Sequence, residues 1–253
     1  MKILAIGAHP ADAIDLAGGT LFLHKKAGHE VIVVSVTTGV HTHGTDILDN
    51  EDKEKYAIVL KQKEFSNACD CLGIHGLPWR FSDESLIQDW NLLHSLMVLI
   101  RIEKPDIVIT HHPNEYAHWD HSVVGEAVCR ALKAAIKSPG EDKYWVPTVY
   151  FFGVQFRPEN ARIGVVPQPP DILIDIEGEL ARKKVEALYA FKSQGYNDVS
   201  MLWNRMRSFE SEMGRADGLK YSEGFILYYP LKRTLLPVNT IGGFYNKEVK
   251  NGN

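Results

Sequence analysis

The chain has 253 residues, and 28 Lys and Arg stand against 32 Asp and Glu for a formal net charge of −4. Its basic residues are scattered, which excludes a polyanion such as DNA as partner, because that contact needs a basic face to displace counterions. Hydrophobic residues make up 45% of the chain, enough for a sizeable core in an ordinary soluble protein.

The three cysteines, Cys69, Cys71 and Cys129, are an odd count with a C-x-C pair, too sparse for a cysteine zinc site or a disulfide framework. They read as reduced thiols of a cytoplasmic protein. The opening MKILAIGAHP has the basic start of a leader, but its apolar run of six residues stops at His9, short of an export signal. No stretch approaches the roughly 20 apolar residues of a membrane span, so no membrane partner is expected.

Taken in chain order, apolar runs alternate with helix-period segments, the pattern of βαβ units around a mostly parallel sheet. Ile3 to Ala8 reads as a buried strand, followed by a helix from Asp12 to Ala27 that closes at Gly28. Val31 to Val36 is a second strand, and Glu51 to Leu72 a long amphipathic helix ending at Gly73. Ser85 to Ile102 reads as a helix, and Pro105 punctuates the approach to a strand at Ile107 to Thr110. Asp120 to Ile136 is helical. Strands follow at Thr148 to Val154 and Ile172 to Ile176, then a helix through Gln194, another through Met213, and a last strand from Phe225 to Tyr229. Gln155 to Pro170 reads as a surface loop. The expected fold is α/β, a Rossmann-like sheet flanked by helices, with one domain over 1–237 and a tail over 238–253 that is loosely held or serves as an oligomer arm.

The histidines are unevenly placed. Of eleven, five lie in two short loops after strands: His9, then His111, His112, His118 and His121. His41 and His43 follow the second strand. In an open parallel sheet, ligands bind outside the carboxyl ends of strands where strand order reverses. If the first strand and the one ending at Thr110 are neighbours there, His9 and Asp12 face His118 and His121. Two imidazoles and a carboxylate suit zinc, because they leave a fourth tetrahedral position open for water. Taken singly, a His-Pro after a strand is also an ordinary turn, and His-x-x-His is a weak signal.

The segment AHPADAIDLAGGT at 8–20 resembles the first signature of the PIG-L/LmbE family of zinc-dependent de-N-acetylases. HWDH at 118–121 is similar to its second, with Tyr116-Ala117-His118 resembling the family's Tyr-x-His. DILIDI and KKVEALYAFKSQ within 171–194, and YSEGF at 221–225, resemble its later strands and helix. The resemblance spans roughly residues 1–230, in order. It implies a three-layer fold, a Zn2+ held by His9, Asp12 and His121, and a small-molecule substrate. It further implies that His118 donates a proton or steadies an oxyanion, with Asp120 orienting it and holding it protonated. Gly18 and Gly19 match the family's glycine pair and read as packing positions.

The chain departs from the signature where the family carries its general base: position 11 is alanine, as is position 13. A methyl group accepts no proton, and losing a placed base typically costs 10²–10⁴-fold. Asp15, His41 and His43 are candidate replacements; the two histidines read equally as exposed loop residues. The Ala-Asp pair is similar to the branch that holds 4-oxalomesaconate hydratase, which adds water to a carbon–carbon double bond. For such a substrate Arg157, Arg205 and Arg207 are candidates to clamp carboxylates. Three readings follow: a zinc hydrolase of an N-acyl amide of a small molecule such as a sugar conjugate; a zinc hydratase of an unsaturated acid; and a metal-binding protein without activity.

Overall fold

The structure is a computed structural model that describes residues 1–41, 51–86, 89–115, 118–137, 139–140, 142–153, 168–232 and 234–235. His43, Tyr116, Val154, Arg157 and the tail after residue 237 lie outside the described residues.

Seven strands form one sheet in the order β3-β2-β1-β4-β5-β7-β6. They are β1 (Lys2–Gly7), β2 (Glu30–Thr37), β3 (His75–Phe81), β4 (Ile107–Thr110), β5 (Thr148–Phe152), β6 (Ile172–Asp175) and β7 (Ser222–Leu227). The first five are mutually parallel, and β7 runs antiparallel between β5 and β6. Strand order reverses between β1 and β4: the chain leaves β1 toward β2 on one side and returns to β4 on the other.

The side-chain alternation of β1 shows why two helical layers are needed. Ile3 and Ala5 enter one core with α1 (Asp12–Lys26), α2 (Glu51–Leu72) and α5 (Glu179–Leu188). Leu4 and Ile6 enter the other with α3 (Trp90–Glu103) and α4 (Trp119–Lys137). All four strand residues are fully buried. A strand apolar on both faces must be covered on both, which gives the expected three-layer α/β arrangement. Two short helices, α6 (Val199–Ser208) and α7 (Glu210–Arg215), close the first layer against β7.

Several boundaries differ from those read in the sequence. β3 was not expected: HGLPWRF is a half-buried edge strand, carries a proline and lacks a clean apolar alternation. The helix expected from Ser85 starts at Trp90, because the Asp89 side chain caps it by accepting from the N–H groups of Asn91 and Leu92. The segment expected to be helical through Gln194 is α5 followed by a 3₁₀ turn at Lys192–Gln194, and the next one breaks at Phe209 into α6 and α7. The last strand starts earlier, at Ser222. The three cysteines are free, and among the described residues no helix is long and apolar enough to cross a membrane.

Candidate metal centre

β1 and β4 pair in parallel, so the loops leaving their carboxyl ends meet at the reversal of strand order. The β1 loop supplies His9 and Asp12. Asp12 opens α1, and its Oδ2 accepts the backbone N–H of His9 at 2.7 Å, which folds the loop back on itself. The β4 loop supplies His111, Glu115 and His118, and α4 supplies Asp120 and His121. Gly125 lets α4 press onto that loop, since a Cβ there would stand 2.5 Å from the carbonyl oxygen of His111.

Three donor atoms converge. His9 Nδ1, Asp12 Oδ2 and His121 Nε2 form a triangle whose sides are all 3.3 Å. A tetrahedral ion with bonds of about 2.0–2.1 Å sets its donors about 3.3–3.4 Å apart, so this donor set fits a zinc-sized ion in both chemistry and spacing. A second group, Asp12, His111 and His121, is also close enough to be considered. His111 does not fit as a ligand. Its Nε2 lies 3.2 Å from Asp12 Oδ2, but that nitrogen already accepts the N–H of Ala8 at 3.0 Å, which occupies the lone pair an ion would need.

Each imidazole of the triangle is oriented by its own buried carboxylate. Asp120 Oδ2 lies 3.2 Å from His9 Nε2, and Glu115 Oε1 lies 2.6 Å from His121 Nδ1. The carboxylates take the far N–H of each ring and leave the near lone pair for the ion, the second layer that metal histidines usually have. Glu115 also takes His111 Nδ1 at 3.0 Å. Sequence reading missed Glu115, because it has no motif spacing and shows itself only by the two rings it joins.

Charge is strongly coupled here. Burial would raise the Asp12 carboxyl, but His121 and His9 outweigh it and hold it well below its ordinary value. Burial likewise opposes ionisation of Glu115, and His111 and His121 reverse that to about 2. For His9 burial pushes down, yet Asp12 and Asp120 lift the ring to about 9; for His121, Asp12 and Glu115 lift it against burial to about 10. His118 goes the other way: burial, then His9 and His121, lower it, so it is neutral near pH 7.

His118 stands at the same centre, its ring centroid 4.6 Å from that of His9 and 5.4 Å from that of His121. Its Nδ1 accepts the backbone N–H of Asp120 at 3.1 Å, so the neutral ring carries its proton on Nε2. Two sequence expectations need correction. Asp120 does not hold His118 protonated; its carboxylate serves His9 and the N–H of Glu84. Asp15 is not a spare base, because Arg205 takes both its oxygens, Nε reaching Oδ1 at 2.9 Å and Nη2 reaching Oδ2. Arg205 is thereby engaged rather than open to a substrate carboxylate, and Arg207 donates to Asn204 at 2.9 Å. His41 sits beyond the ligands, half-exposed, its N–H bonded to Asp83 and its ring 3.9 Å from Glu54. Ala11 is buried beside Asp12 and brings no polar group to the site.

The fold is α/β of the Rossmann-like kind, and a candidate His-Asp-His metal site lies at the reversal of its sheet. Residues 4–132 match the model of the family PIG-L, GlcNAc-PI de-N-acetylase, and the chain belongs to that family. It is an enzyme of the hydrolase or hydro-lyase kind. It is similar to a probable N-acetyl-alpha-D-glucosaminyl L-malate deacetylase 2 of Bacillus cereus, 26% identical over 202 residues that cover 76% of this chain and 83% of the relative. It is also similar to the 4-oxalmesaconate hydratase of Pseudomonas putida, 24% identical over 236 residues, 90% of this chain and 89% of the relative. Among solved structures, the 4-carboxy-2-hydroxymuconate hydratase of Pseudomonas putida superposes with a TM-score of 0.77 at 22% identity, over 93% of this chain and 99% of that one. The N,N'-diacetylchitobiose deacetylase of Pyrococcus horikoshii superposes with a TM-score of 0.73, also at 22% identity, over 89% and 83%. These likenesses agree on the fold.

Proposed function

We propose that the chain is a zinc-dependent hydrolase that cleaves the acyl group, an N-acetyl group in the simplest case, from an amide of a small molecule such as a sugar conjugate. The observation that carries this reading is the equilateral triangle of His9 Nδ1, Asp12 Oδ2 and His121 Nε2. Those three residues would hold the zinc. The ion, when bound, supplies Lewis acidity that acidifies water and polarises a substrate carbonyl.

The chain's own residues do the rest. Asp120 and Glu115 fix the tautomers of His9 and His121, so the donor atoms are set before substrate arrives. His118 presents Nε2–H, which donates to the oxygen on which negative charge develops when the amide carbonyl is attacked. The proton that the leaving nitrogen needs is the one the attacking water gives up, carried over by the base that takes it. Position 11 is alanine, which supplies no carboxylate to take a proton from water. The candidates for that task are His41 and His43, which follow β2 in the sequence, and Tyr116 stands two positions before His118 in the chain.

A second reading, a hydratase of an unsaturated carboxylic acid, rests on Ala11. It would use the same triangle, with the proton that water gives up returned to carbon. Against it stands the engagement of Arg205 by Asp15, which occupies one of the two candidate carboxylate clamps among the described residues. Zinc-loaded protein should be assayed on a panel of N-acetylated amino sugars and unsaturated dicarboxylates. Acetate release that disappears in His121→Ala supports the hydrolase; water addition without any acetate release overturns it.

A further inference from the structure

The hydrogen-bond ladder of α1 is drawn on midway by another element. Glu223, on β7, turns its carboxylate to the helix, where Oε1 accepts the N–H of Gly19 at 3.0 Å and Oε2 that of Thr20 at 2.7 Å. In a regular helix those two N–H groups serve the carbonyls of Asp15 and Leu16. A side chain set into the ladder at a glycine pair is where helices bend. The wedge is itself fixed, since the fully buried Lys184 donates to Glu223 Oε1 at 2.8 Å. The stretch from Asp12 to Gly18 is thus a head, joined to the rest of α1 through a turn whose donors are shared with β7.

That head carries Asp12, and it has no side-chain cap of its own, because Ala11 stands at the N-cap position. Ala13, Ile14 and Ala17 seat it on the core, but apolar contacts are non-directional. Direction comes from α6. Asp15 lies one turn beyond Asp12 and is 8% exposed, and Arg205 takes both its oxygens, Nε reaching Oδ1 at 2.9 Å and Nη2 reaching Oδ2. Two parallel bonds from a planar fork fix orientation as well as distance. The fork is backed by the Phe209 ring, whose centroid lies 4.7 Å from the guanidinium carbon. Leu202 and Met206, both buried, anchor α6 beneath it.

We infer that Arg205 is a positioning residue of the metal site: through Asp15 it fixes the head of α1, and with it the Asp12 Oδ2 corner of the triangle. This builds on the reading of the triangle as a zinc site. Arg205 acts only through the helix, since both its bonds to the head end on Asp15. Its effect reaches the ion because a metal constellation has to be held within about 0.5 Å of its productive geometry. A head free to turn by that much would carry Asp12 Oδ2 out of its 3.3 Å spacing from His9 Nδ1 and His121 Nε2.

The test uses the full chain as wild type, Arg205→Met, Asp15→Ala and the double variant. Zinc affinity is read by competition with a chromophoric chelator, and the visible spectrum of the cobalt(II)-loaded protein reports the geometry of the donors. Each single variant should bind zinc about 10-fold more weakly, the lower end of what an orienting partner contributes, with an altered cobalt spectrum. The double variant should be no worse than either, because both changes remove one contact. Charge alone predicts something else: losing the Arg205 cation favours a bound zinc ion and losing the Asp15 anion disfavours it. Asp15→Ala leaves no buried carboxylate unpaired and adds a good helix former, so its spectrum carries the test should Arg205→Met fail to fold. The inference is overturned if the two affinities move in opposite directions or both stay at the wild-type value. It is equally overturned if they weaken while the cobalt spectrum is unchanged, the result of a merely structural role. Wild type that takes up no zinc is a separate outcome, which overturns the metal site itself and the clamp with it.

Discussion

Asp120 Oδ2 lies 3.2 Å from His9 Nε2 but 4.0 Å from His118 Nδ1, so the carboxylate at the head of α4 serves a histidine 111 residues away rather than the one two positions before it. Glu115 does the same for His121 from within its own loop. The site is therefore built from two carboxylate–imidazole pairs set around Asp12, whose Oδ2 also accepts the N–H of His9.

Metal affinity should follow that division. His121→Ala and Asp12→Ala remove donors from the triangle and should abolish zinc binding at one per chain. Glu115→Ala and Asp120→Ala remove only the orienting partners, and each should weaken zinc by about 10–100-fold. His111→Ala should keep full stoichiometry, because its Nε2 already serves the N–H of Ala8. Competition against a chromophoric chelator measures all five. Undiminished affinity in Glu115→Ala would show that the pairing with His121 orients nothing.

Zinc uptake should also release protons. Without metal, His9 titrates at about 9 and His121 at about 10, since Asp12 and the orienting carboxylates overcome the downward push of burial. Both rings are then protonated at pH 7.5, and both must lose a proton to offer a lone pair. Calorimetry in buffers of different ionisation enthalpy should report close to two protons released per zinc, declining as pH rises through 9 to 10. The sign is fixed by the raised folded pKa values: the same proton-mediated pairs stabilise the metal-free fold below the free-histidine value of about 6.5, and that contribution fades as pH climbs through 9 and 10. A release near zero at pH 7.5 would mean the rings are already neutral.

What could be read from the sequence was what local periodicity encodes. β1, α1, β2 and α2 fall within a residue or two of their expected bounds, because buried strands and long amphipathic helices carry their own pattern. The His9-x-x-Asp12 and His118-x-x-His121 pairs were visible for the same reason, as close spacings on single segments. What escaped was long-range. Asp15 looked available until Arg205, 190 residues later, took it. Glu115 looked like a loop acid until two imidazoles flanked it. β3 is held by its pairing with β2 rather than by any alternation of its own.

The glycine pair of α1 should prove unequal. A Cβ on Gly19 would stand 2.7 Å from Ile176 Cγ2 and 2.9 Å from its Cβ, a clash with a branched, fully buried side chain. Gly19→Ala should destabilise by about 1–3 kcal/mol through overpacking. At Gly18 the nearest atom is Lys184 Cγ at 3.3 Å, part of a longer side chain. There the helix preference for alanine, about 1 kcal/mol, should roughly offset the contact. Urea unfolding of both variants reads the difference; equal stabilities would show that α1 shifts freely on the sheet.

Ala11 offers the sharpest discrimination between the two reactions. It is 5% exposed, next to Asp12 and at the start of α1. If the enzyme hydrolyses amides with a poorly placed base, Ala11→Asp supplies a carboxylate where water is activated, and acetate release should rise about 10-fold or more. If it hydrates an unsaturated acid, the new carboxylate adds no needed base and repels an anionic substrate by about 1 kcal/mol or more at partly buried distances. Turnover should then fall. Zinc content must be measured alongside, since a buried charge beside Asp12 also changes the field on the triangle. With zinc retained, a rise in amide hydrolysis excludes the hydratase, whereas hydration lost without any gain in acetate release excludes the hydrolase. Silence from both proteins on both substrate classes would leave neither reaction standing, because the triangle, His118 and the added base would then all be in place with nothing to act on.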